Sequence, residues 1–255
     1  MYGLENLLLN QPHPTSWYNL GYWQPETNSF VTACEGLARI FAEKGQFKKG
    51  ESLLDLGCGC ADQDIFWLRE YHLKSIIGIN GSKPQLAYAQ QKIENADLNT
   101  QITIVDAPFE TFETKQNFDI VCSLDAAYHF DKTKLFALAA ARAHRLVFTD
   151  LTPPQGGSPL LLNFLISLAG IRKKNLLPLQ QMHALAAEFG FKPMIYEDLS
   201  EPVLGGYANF IQTHGPSLRQ KHGLKVQRFL LTGRVLGYIF RRALLGYSLF
   251  VYEKK

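Results

Sequence analysis

Short apolar runs alternate with segments of helical spacing from residue 52 to residue 151, and this alternation limits the fold more than any other feature of the chain. The runs are apolar at consecutive positions, which is typical of parallel strands that are covered on both faces. The pattern predicts a doubly wound α/β domain with a mostly parallel sheet, whose ligands bind at the carboxyl ends of the strands. The runs are ESLLDLG, SIIGIN, QITIVDA, FDIVCSL and RLVFTDL.

The segments outside this stretch complete the predicted architecture. Residues 28–44 have the apolar spacing of an amphipathic helix and belong to an N-terminal helical cap, residues 1–50. The core follows as residues 51–151, and a loop rich in proline and glycine before an apolar run predicts an inserted lid, residues 152–190. Residues 191–255 hold the strands KPMIYEDLS and GYSLFVYEKK around a mostly helical stretch, which brings the predicted sheet to seven strands. We expect the last strand to close the sheet edge.

Charge and cysteine usage exclude several classes of protein. A net charge of +3 over 255 residues gives no dense basic stripe of the kind that binds nucleic acid. The four cysteines have no zinc-site spacing, so no metal site is predicted, and reduced thiols are typical of a cytoplasmic protein. The N-terminus has no signal-peptide pattern. The longest apolar run, residues 158–171, is shorter than the roughly 20 residues that span a bilayer.

The first predicted strand ends in the pattern D-x-G-x-G-x-A, residues 55–61. Its two glycines, Gly57 and Gly59, lack the spacing of the dinucleotide fingerprint G-x-G-x-x-G. Asp62 and Asp64 open the next helix, where carboxylates would repel a pyrophosphate at the helix N-terminus. A ligand with an adenosine, a positive centre and no phosphate fits better, and S-adenosylmethionine is such a molecule.

Four segments resemble class I S-adenosylmethionine-dependent methyltransferases. LLDLGCGCADQ is similar to the first motif of this family, and the order of elements from residue 52 to residue 151 resembles its Rossmann-like core. NLGYW, GINGSKPQLAYA and AAYHF resemble the small-molecule branch, whose members methylate sterols, tocopherols, sarcosine and sugars. The resemblance implies a cofactor-binding core and methyl transfer to oxygen, nitrogen or an activated carbon.

The resemblance also implies cofactor contacts. Asp55 would lie near the methionine part of S-adenosylmethionine, and Asn80 near the ribose, in a position where the family usually has an acid. Asp106 would accept a hydrogen bond from the adenine amino group, and Tyr18 would reach the cofactor from the segment before the core. The cofactor-binding candidates are Tyr18, Asp55, Gly57, Gly59, Asn80, Gln85, Asp106, Ala107 and Leu124.

Three further residues are candidates for binding the substrate. In relatives, the segment that carries Tyr22 and Trp23 folds over the cofactor, so these two aromatic side chains would face the substrate. Aromatic packing of the N-terminal segment on the core is the alternative. Asp125, after the fourth strand, is either a substrate contact or a residue that starts a helix.

His129 and Asp150 are the catalytic candidates. His129 follows the fourth strand and Asp150 ends the fifth, and a right-handed crossover would make those two strands neighbours. A carboxylate beside an imidazole fixes its tautomer and raises its basicity, which favours a general base. The alternative is that His129 packs beside Tyr128 and Phe130 as a structural aromatic residue.

The acceptor is expected to be small and hydrophobic and to lie under residues 152–177. Two segments combine apolar and basic residues, 158–174 and 225–245, and they predict either a lipophilic substrate channel or peripheral contact with a membrane. The alternative is that both helices bury their apolar faces against the core. An NAD-type oxidoreductase and a non-catalytic, methyltransferase-like regulatory protein are the alternatives. The glycine spacing disfavours the first, and the presence of His129 and Asp150 disfavours the second.

Overall fold

A computed structural model describes residues 5–154, Leu162, Ile166 and residues 170–255. In this part of the chain, seven strands form one sheet in the order β3-β2-β1-β4-β5-β7-β6. Strands β1 to β5 are parallel to one another, and β7 is antiparallel to both of its neighbours. The predicted doubly wound, mostly parallel fold is therefore confirmed. The strands are β1 (Ser52–Leu56), β2 (Ser75–Asn80), β3 (Ile102–Asp106), β4 (Phe118–Ser123), β5 (Ala143–Thr152), β6 (Phe191–Asp198) and β7 (Gly246–Lys254).

The prediction that the last strand closes the sheet edge is wrong. Strand β7 lies between β5 and β6, and β6 forms the edge. Residues 247–252 of β7 are all buried, whereas most of β6 is exposed. The sequence contains the reason, since YSLFVY is apolar at nearly every position, while β6 carries Pro193 and charged residues that suit an edge strand.

Helices cover both faces of the sheet, and their sequences account for where they begin. The predicted helix over residues 28–44 is α2, and the Ser29 side chain caps it by accepting from the amide of Thr32. Asp131 caps α5 in the same way. The helices are α1 (Leu7–Asn10), α2 (Phe30–Lys44), α3 (Asp62–Glu70), α4 (Lys83–Asn95), α5 (Lys132–Arg142), α6 (Leu179–Glu188), α7 (Gly206–His222) and α8 (Gln227–Arg241).

Helices α7 and α8 form a close pair beside the N-terminal segment. Gly233 of α8 lies against Ile211 of α7, where an added Cβ would come within 2.5 Å of the Ile211 Cβ. Trp23 stacks on Phe210 of α7 with 4.6 Å between ring centroids. This pair places a helical layer near the carboxyl ends of the strands, which is the edge where the ligand site was predicted.

Much of the predicted lid lies outside the described residues. Of the stretch 155–169, only Leu162 and Ile166 are described, and both are buried in the core. The division of the chain at residues 50, 151 and 190 stays a prediction. Among the helices that the structure describes, none has the length and apolar character needed to cross a membrane.

Candidate active site

A cavity of about 610 Å³ lies where strands β1, β2 and β4 end. Its volume is within the range of sites that bind small molecules. The residues after β1 and β2 form one part of the wall, and the 124–130 segment after β4 forms another. Helix α8 contributes Phe229, Leu231, Val235, Leu236 and Ile239, so much of the remaining wall is apolar.

The glycine turn brings backbone to the cavity surface. Gly57 has a φ of +88°, and an added Cβ would lie 2.7 Å from the Cβ of Ala126. Its amide and that of Cys58 both donate to the Ile79 carbonyl, which ties the turn to β2. Gly59 and Ala61 also have positive φ, at +58° and +60°. A ligand can therefore approach the main chain at this turn without meeting a side chain at Gly57 or Gly59.

Asn80 and Gln85 line the cavity beside this turn. The Asn80 Nδ2 donates to the Gly59 carbonyl at 3.1 Å and to the Gln85 Oε1 at 2.8 Å. Both donor positions of Nδ2 are thus used within the protein, so Asn80 would meet a ligand hydroxyl through its Oδ1. Gln85 is buried, and Leu124 and Tyr18 also line the cavity.

The structure corrects the expectation that Asp55 lies at the cofactor. Asp55 is fully buried beneath the glycine turn and does not line the cavity. Its Oδ2 accepts from Gln63 Nε2 at 3.0 Å, and Gln63 also donates to the Cys58 carbonyl at 3.1 Å. Gln63 does line the cavity. Asp55 thus holds the residue that supports the turn, rather than contacting the ligand.

Asp55 is paired with a second buried acid, Asp64. Burial raises the pKa of Asp55 to about 6, although hydrogen bonds with Gln63, Asp64 and Cys122 lower it. Burial and the charge of Asp55 raise the pKa of Asp64 well above its usual value. Of the two carboxyl groups, Asp64 therefore has the stronger preference for the protonated form.

These contacts also correct the electrostatic argument about phosphate. Asp64 points back into the sheet, within 3.1 Å of a Cβ placed on Gly78, and not toward the cavity. Asp62 lines the cavity, but it is paired with Lys92 at 2.6 Å and accepts from the Ser16 hydroxyl at 2.6 Å. The acids at the start of α3 therefore present less free negative charge than the sequence predicts. The glycine spacing remains the distinguishing feature.

Asp106 and Ala107 do not belong to the cavity wall that the structure shows. Asp106 is exposed at the end of β3, where it is the register partner of Asn80. Their predicted adenine contact stays a prediction.

Asp125 stands at the cavity wall with a φ of +56°. Its carboxylate accepts from the Leu20 amide at 2.8 Å, from the Tyr247 hydroxyl at 3.0 Å and from the Tyr128 hydroxyl at 3.2 Å. Burial raises its pKa to about 7, although these three hydrogen bonds lower it. Asp125 does not start a helix, since the helical turn that follows begins at Ala127. The geometry is compatible with its predicted role as a substrate contact.

His129 lies in the cavity wall, but Asp150 does not orient it. The Asp150 carboxylate is 2.9 Å from the Lys132 Nζ, and its other oxygen accepts from the amide of Leu151. Asp150 is fully buried and does not line the cavity. The predicted direct pair of His129 and Asp150 is wrong, because the side chain of Lys132 takes the carboxylate.

The aromatic residues of the NLGYW segment separate into two groups. Tyr18 lines the cavity, and its contact with the cofactor stays a prediction. Tyr22 and Trp23 do not: Tyr22 lies against Gly36 of α2, and the Trp23 indole donates to the Leu20 carbonyl while its ring stacks on α7. The packing alternative therefore describes the contacts of Tyr22 and Trp23, which lie outside the cavity wall that the structure shows.

Sequence reasoning missed Gln63, Lys132 and Tyr247, whereas the apolar face of residues 225–245 was among the candidates for a lipophilic channel. Tyr247 comes from β7, far along the chain from Asp125, and no local pattern links the two. The α8 face carried a detectable signal, since apolar residues recur at helical spacing over residues 226–239. Lys132 stands directly after the α5 cap, where a lysine is normally solvated.

This fold, with a glycine turn after β1 and a small-molecule cavity at the carboxyl ends of the strands, defines a Rossmann-like α/β protein. Residues 6–150 match the family model of mycolic acid cyclopropane synthetase. The chain belongs to this family. The predicted resemblance to class I S-adenosylmethionine-dependent methyltransferases is thereby confirmed.

Curated relatives match just under half of the chain. The erythromycin 3''-O-methyltransferase of Saccharopolyspora erythraea is 29% identical over 121 residues, which are 46% of this chain and 38% of that protein. The (S)-tetrahydroprotoberberine N-methyltransferase of Eschscholzia californica is 26% identical over 115 residues, 45% of this chain and 33% of that protein. The match thus spans well under half the length of these relatives.

Solved structures share the whole fold. The cyclopropane synthase MmaA2 from Mycobacterium tuberculosis superposes with a TM-score of 0.81 at 20% identity, over 100% of this chain and 95% of that one. The geranyl diphosphate C-methyltransferase from Streptomyces coelicolor, in complex with S-adenosyl-L-homocysteine, superposes with a TM-score of 0.80 at 13% identity, over 100% of this chain and 94% of that one. At these identities the likeness establishes the fold.

Proposed function

We propose that this protein is an S-adenosylmethionine-dependent methyltransferase that acts on a small, hydrophobic molecule. One observation carries the proposal: a single cavity is lined both by the glycine turn with Asn80 and by His129 with the apolar face of α8. A methyl donor and an acceptor can therefore share one enclosed space. The methyltransferases among the relatives and the neighbours complexed with S-adenosylhomocysteine support the choice of cofactor.

The residues at the turn fit this cofactor. The positive φ angles at Gly57 and Gly59 leave room for a ligand against the backbone, and the space at Gly57 is so limited that a Cβ would collide with Ala126. Asn80 and Gln85 would meet the ribose hydroxyls, and Tyr18 would cover the cofactor from the N-terminal segment. When bound, S-adenosylmethionine supplies an electrophilic methyl group on a positively charged sulfur.

His129 is the proposed general base. Burial lowers the pKa of His129 below its usual value, and the charge of Lys132 lowers it further, while a hydrogen bond to the Gly170 backbone raises it. The imidazole is therefore neutral at neutral pH and can take the proton that an oxygen or nitrogen acceptor releases. Activity should rise as pH increases through this lowered pKa, because only the neutral imidazole accepts a proton.

Asp125 is the proposed polar contact for the acceptor. Three hydrogen bonds fix its carboxylate at the wall of an otherwise largely apolar cavity. An acceptor with an apolar body and one hydroxyl or amine would bury the body against α8 and direct the polar group to Asp125. The macrolide and alkaloid substrates in the names of the relatives are molecules of this general kind.

We also propose that the protein is cytoplasmic and that α7 and α8 contact anionic membrane surfaces. The buried free thiols support the compartment. From residue 202 to residue 252 the sequence has seven lysines and arginines and no acid. A helical stripe of Leu224, Arg228, Leu231, Tyr238 and Arg242 is exposed, and Arg228 and Leu231 also line the cavity. Basic residues near an anionic leaflet contribute about 1 kcal/mol each.

Vesicle sedimentation tests the membrane contact. The protein should bind phosphatidylglycerol vesicles, release at high salt, and bind phosphatidylcholine weakly. Leu231→Asp should weaken binding, whereas Met194→Asp, at an exposed apolar residue of the edge strand β6, should not. An equal loss of vesicle binding in both variants, or no binding of the wild type to either kind of vesicle, would contradict the proposed membrane contact.

Methyl transfer is tested with a labelled methyl donor and a panel of hydrophobic alcohols, amines and macrolides. Label should appear in at least one acceptor, and His129→Ala should reduce turnover by about a hundredfold or more if proton transfer limits the rate. His144→Ala is the matched control, because His144 is a surface histidine with 63% of its side chain exposed. Binding of the donor without any labelled product would favour the regulatory alternative, and binding of NADH instead would favour the oxidoreductase.

A further inference from the structure

Lys132 is a buried lysine that holds the turn in front of it. Its side chain is 2% exposed, and its Nζ is 2.9 Å from the Asp150 Oδ2. The same Nζ donates to the Ala127 carbonyl at 2.6 Å and to the Phe130 carbonyl at 3.3 Å. Two donors of the ammonium group thus serve the two carbonyls, and its charge is balanced by the ion pair with Asp150.

These carbonyls lie at the first residue of the turn that carries the proposed base and at the residue directly after it. The turn spans Ala127–His129, and Tyr128 and His129 both line the cavity. The Asn175 side chain donates to the His129 carbonyl at 2.7 Å. Lys132 and Asn175 therefore hold the main chain on both sides of the His129 side chain. Asp150 in turn anchors Lys132 to β5, where Asp150 is the register partner of Ser248 of β7.

We propose that Lys132 is a positioning residue for His129, and that Asp150 acts on the site only through Lys132. The inference rests on the proposed function of His129. It replaces a direct carboxylate–imidazole pair with a chain of contacts from the sheet through Asp150 and Lys132 to the turn. An ammonium group in place of a carboxylate also reverses the electrostatic effect on the imidazole.

The charges around His129 support this reversal. Lys132 lowers the pKa of His129, and Glu110 raises it, in addition to the effect of burial and the contact with Gly170. A base with a lowered pKa stays neutral over a wider pH range, so it is available at lower pH than a carboxylate-paired histidine. Lys132 thus holds the turn that carries the imidazole and adds to the lowering of its pKa by burial.

Two double variants separate the hydrogen bonds of the pair from its charge. Replacing one member of a buried ion pair is costly, whereas replacing both by apolar residues of similar volume is often neutral. Lys132→Met with Asp150→Leu removes the charge and the hydrogen bonds to the turn. Lys132→Gln with Asp150→Asn removes the charge and keeps an amide donor for the turn carbonyls. Glu51→Gln with Arg145→Met is the control, because this second buried pair lies at the opposite end of the sheet.

The readouts are kcat and KM with an acceptor from the panel, the pKa of the His129 imidazole by NMR titration, and calorimetric binding of S-adenosylhomocysteine. The double variant Lys132→Met with Asp150→Leu should lower kcat by at least about tenfold, since small displacements of a catalytic group reduce the rate by this much or more. The effect on KM should be small. The double variant Lys132→Gln with Asp150→Asn should keep most of the wild-type kcat, because its amide can still donate to the turn carbonyls. Both double variants should raise the pKa of His129, and the control should change neither quantity.

Unchanged kcat and an unchanged His129 pKa in the Met/Leu variant would overturn the inference and leave the pair a purely structural one. If that variant does not fold, the Gln/Asn variant decides, and a His129 pKa equal to that of the wild type overturns the inference. The titration of His129 does not require turnover. A wild-type protein that methylates no acceptor would therefore contradict the proposed function, while the effect of Lys132 on the imidazole would still be measured.

Discussion

Asp55→Asn replaces the buried acid beneath the glycine turn. Its free energy of unfolding, relative to that of the wild type, should be higher at neutral pH than at acid pH. The pKa of Asp55 is raised by burial to about 6, above its ordinary value of 3.8. The folded state therefore binds the proton more tightly than the unfolded state does. Its contribution to stability is fully present below the ordinary pKa and is lost as pH rises toward 6.

The magnitude follows from this difference in pKa. One pKa unit corresponds to about 1.4 kcal/mol, so the wild type should lose about 2 kcal/mol from Asp55 between pH 4 and pH 7. Asparagine does not titrate, and its Oδ1 still accepts from Gln63. The free energy of unfolding of Asp55→Asn relative to the wild type should therefore rise by about 2 kcal/mol over this range.

Urea denaturation followed by tryptophan fluorescence measures this difference at each pH. Asp119→Asn is the matched control with the opposite sign. The Ser52 backbone hydrogen bond lowers the pKa of Asp119, so its contribution is present at neutral pH and is lost as pH falls. Parallel pH profiles for Asp55→Asn and the wild type, or a difference that falls as pH rises, would refute the account of the buried acid pair.

Three further predictions test the cavity. Gly57→Ala should abolish binding of S-adenosylhomocysteine, measured by calorimetry. It should also lower the free energy of unfolding, measured by urea denaturation, by about 1–2 kcal/mol for the positive φ and by a further amount for the clash with Ala126. Gly59→Ala is the control, since no atom lies within 4 Å of its added Cβ, and it should show only the stability cost of its positive φ. Asn80→Leu should raise the Kd for S-adenosylhomocysteine by about tenfold or more, since it removes the hydrogen bonds to Gly59 and Gln85; an unchanged Kd would exclude Asn80 from the site. Leu236→Trp should raise KM for a bulky acceptor and leave the cofactor Kd unchanged, and a reversed pattern in steady-state kinetics would place the cofactor at α8.

Local patterns predicted the parts of the fold that depend on local chemistry. Apolar runs and apolar residues at helical spacing predicted the strands and helices, and the turn at Gly57 and Gly59 indicated the end of the sheet where the cavity lies. The order of the last two strands was also present in the sequence, in the unbroken apolar run of β7 and the charges of β6. It was misassigned because chain order was taken as spatial order.

The errors at the site have a common physical cause. Strand order predicts that residues share one edge of the sheet, but it does not predict which side chain fills the space between them. His129 follows β4 and Asp150 lies near the end of the neighbouring β5, yet Lys132, from the start of α5, takes the carboxylate. Tyr247 reaches Asp125 across 122 positions of the chain, a contact that only the antiparallel insertion of β7 creates.

The central claim is that an adenosyl ligand without phosphate binds at the glycine turn. Calorimetric titration with S-adenosylhomocysteine, and separately with NADH, tests it most directly. The account predicts saturable binding of one S-adenosylhomocysteine per chain, loss of that binding in Gly57→Ala, and no binding of NADH. Binding of NADH without binding of S-adenosylhomocysteine would contradict it.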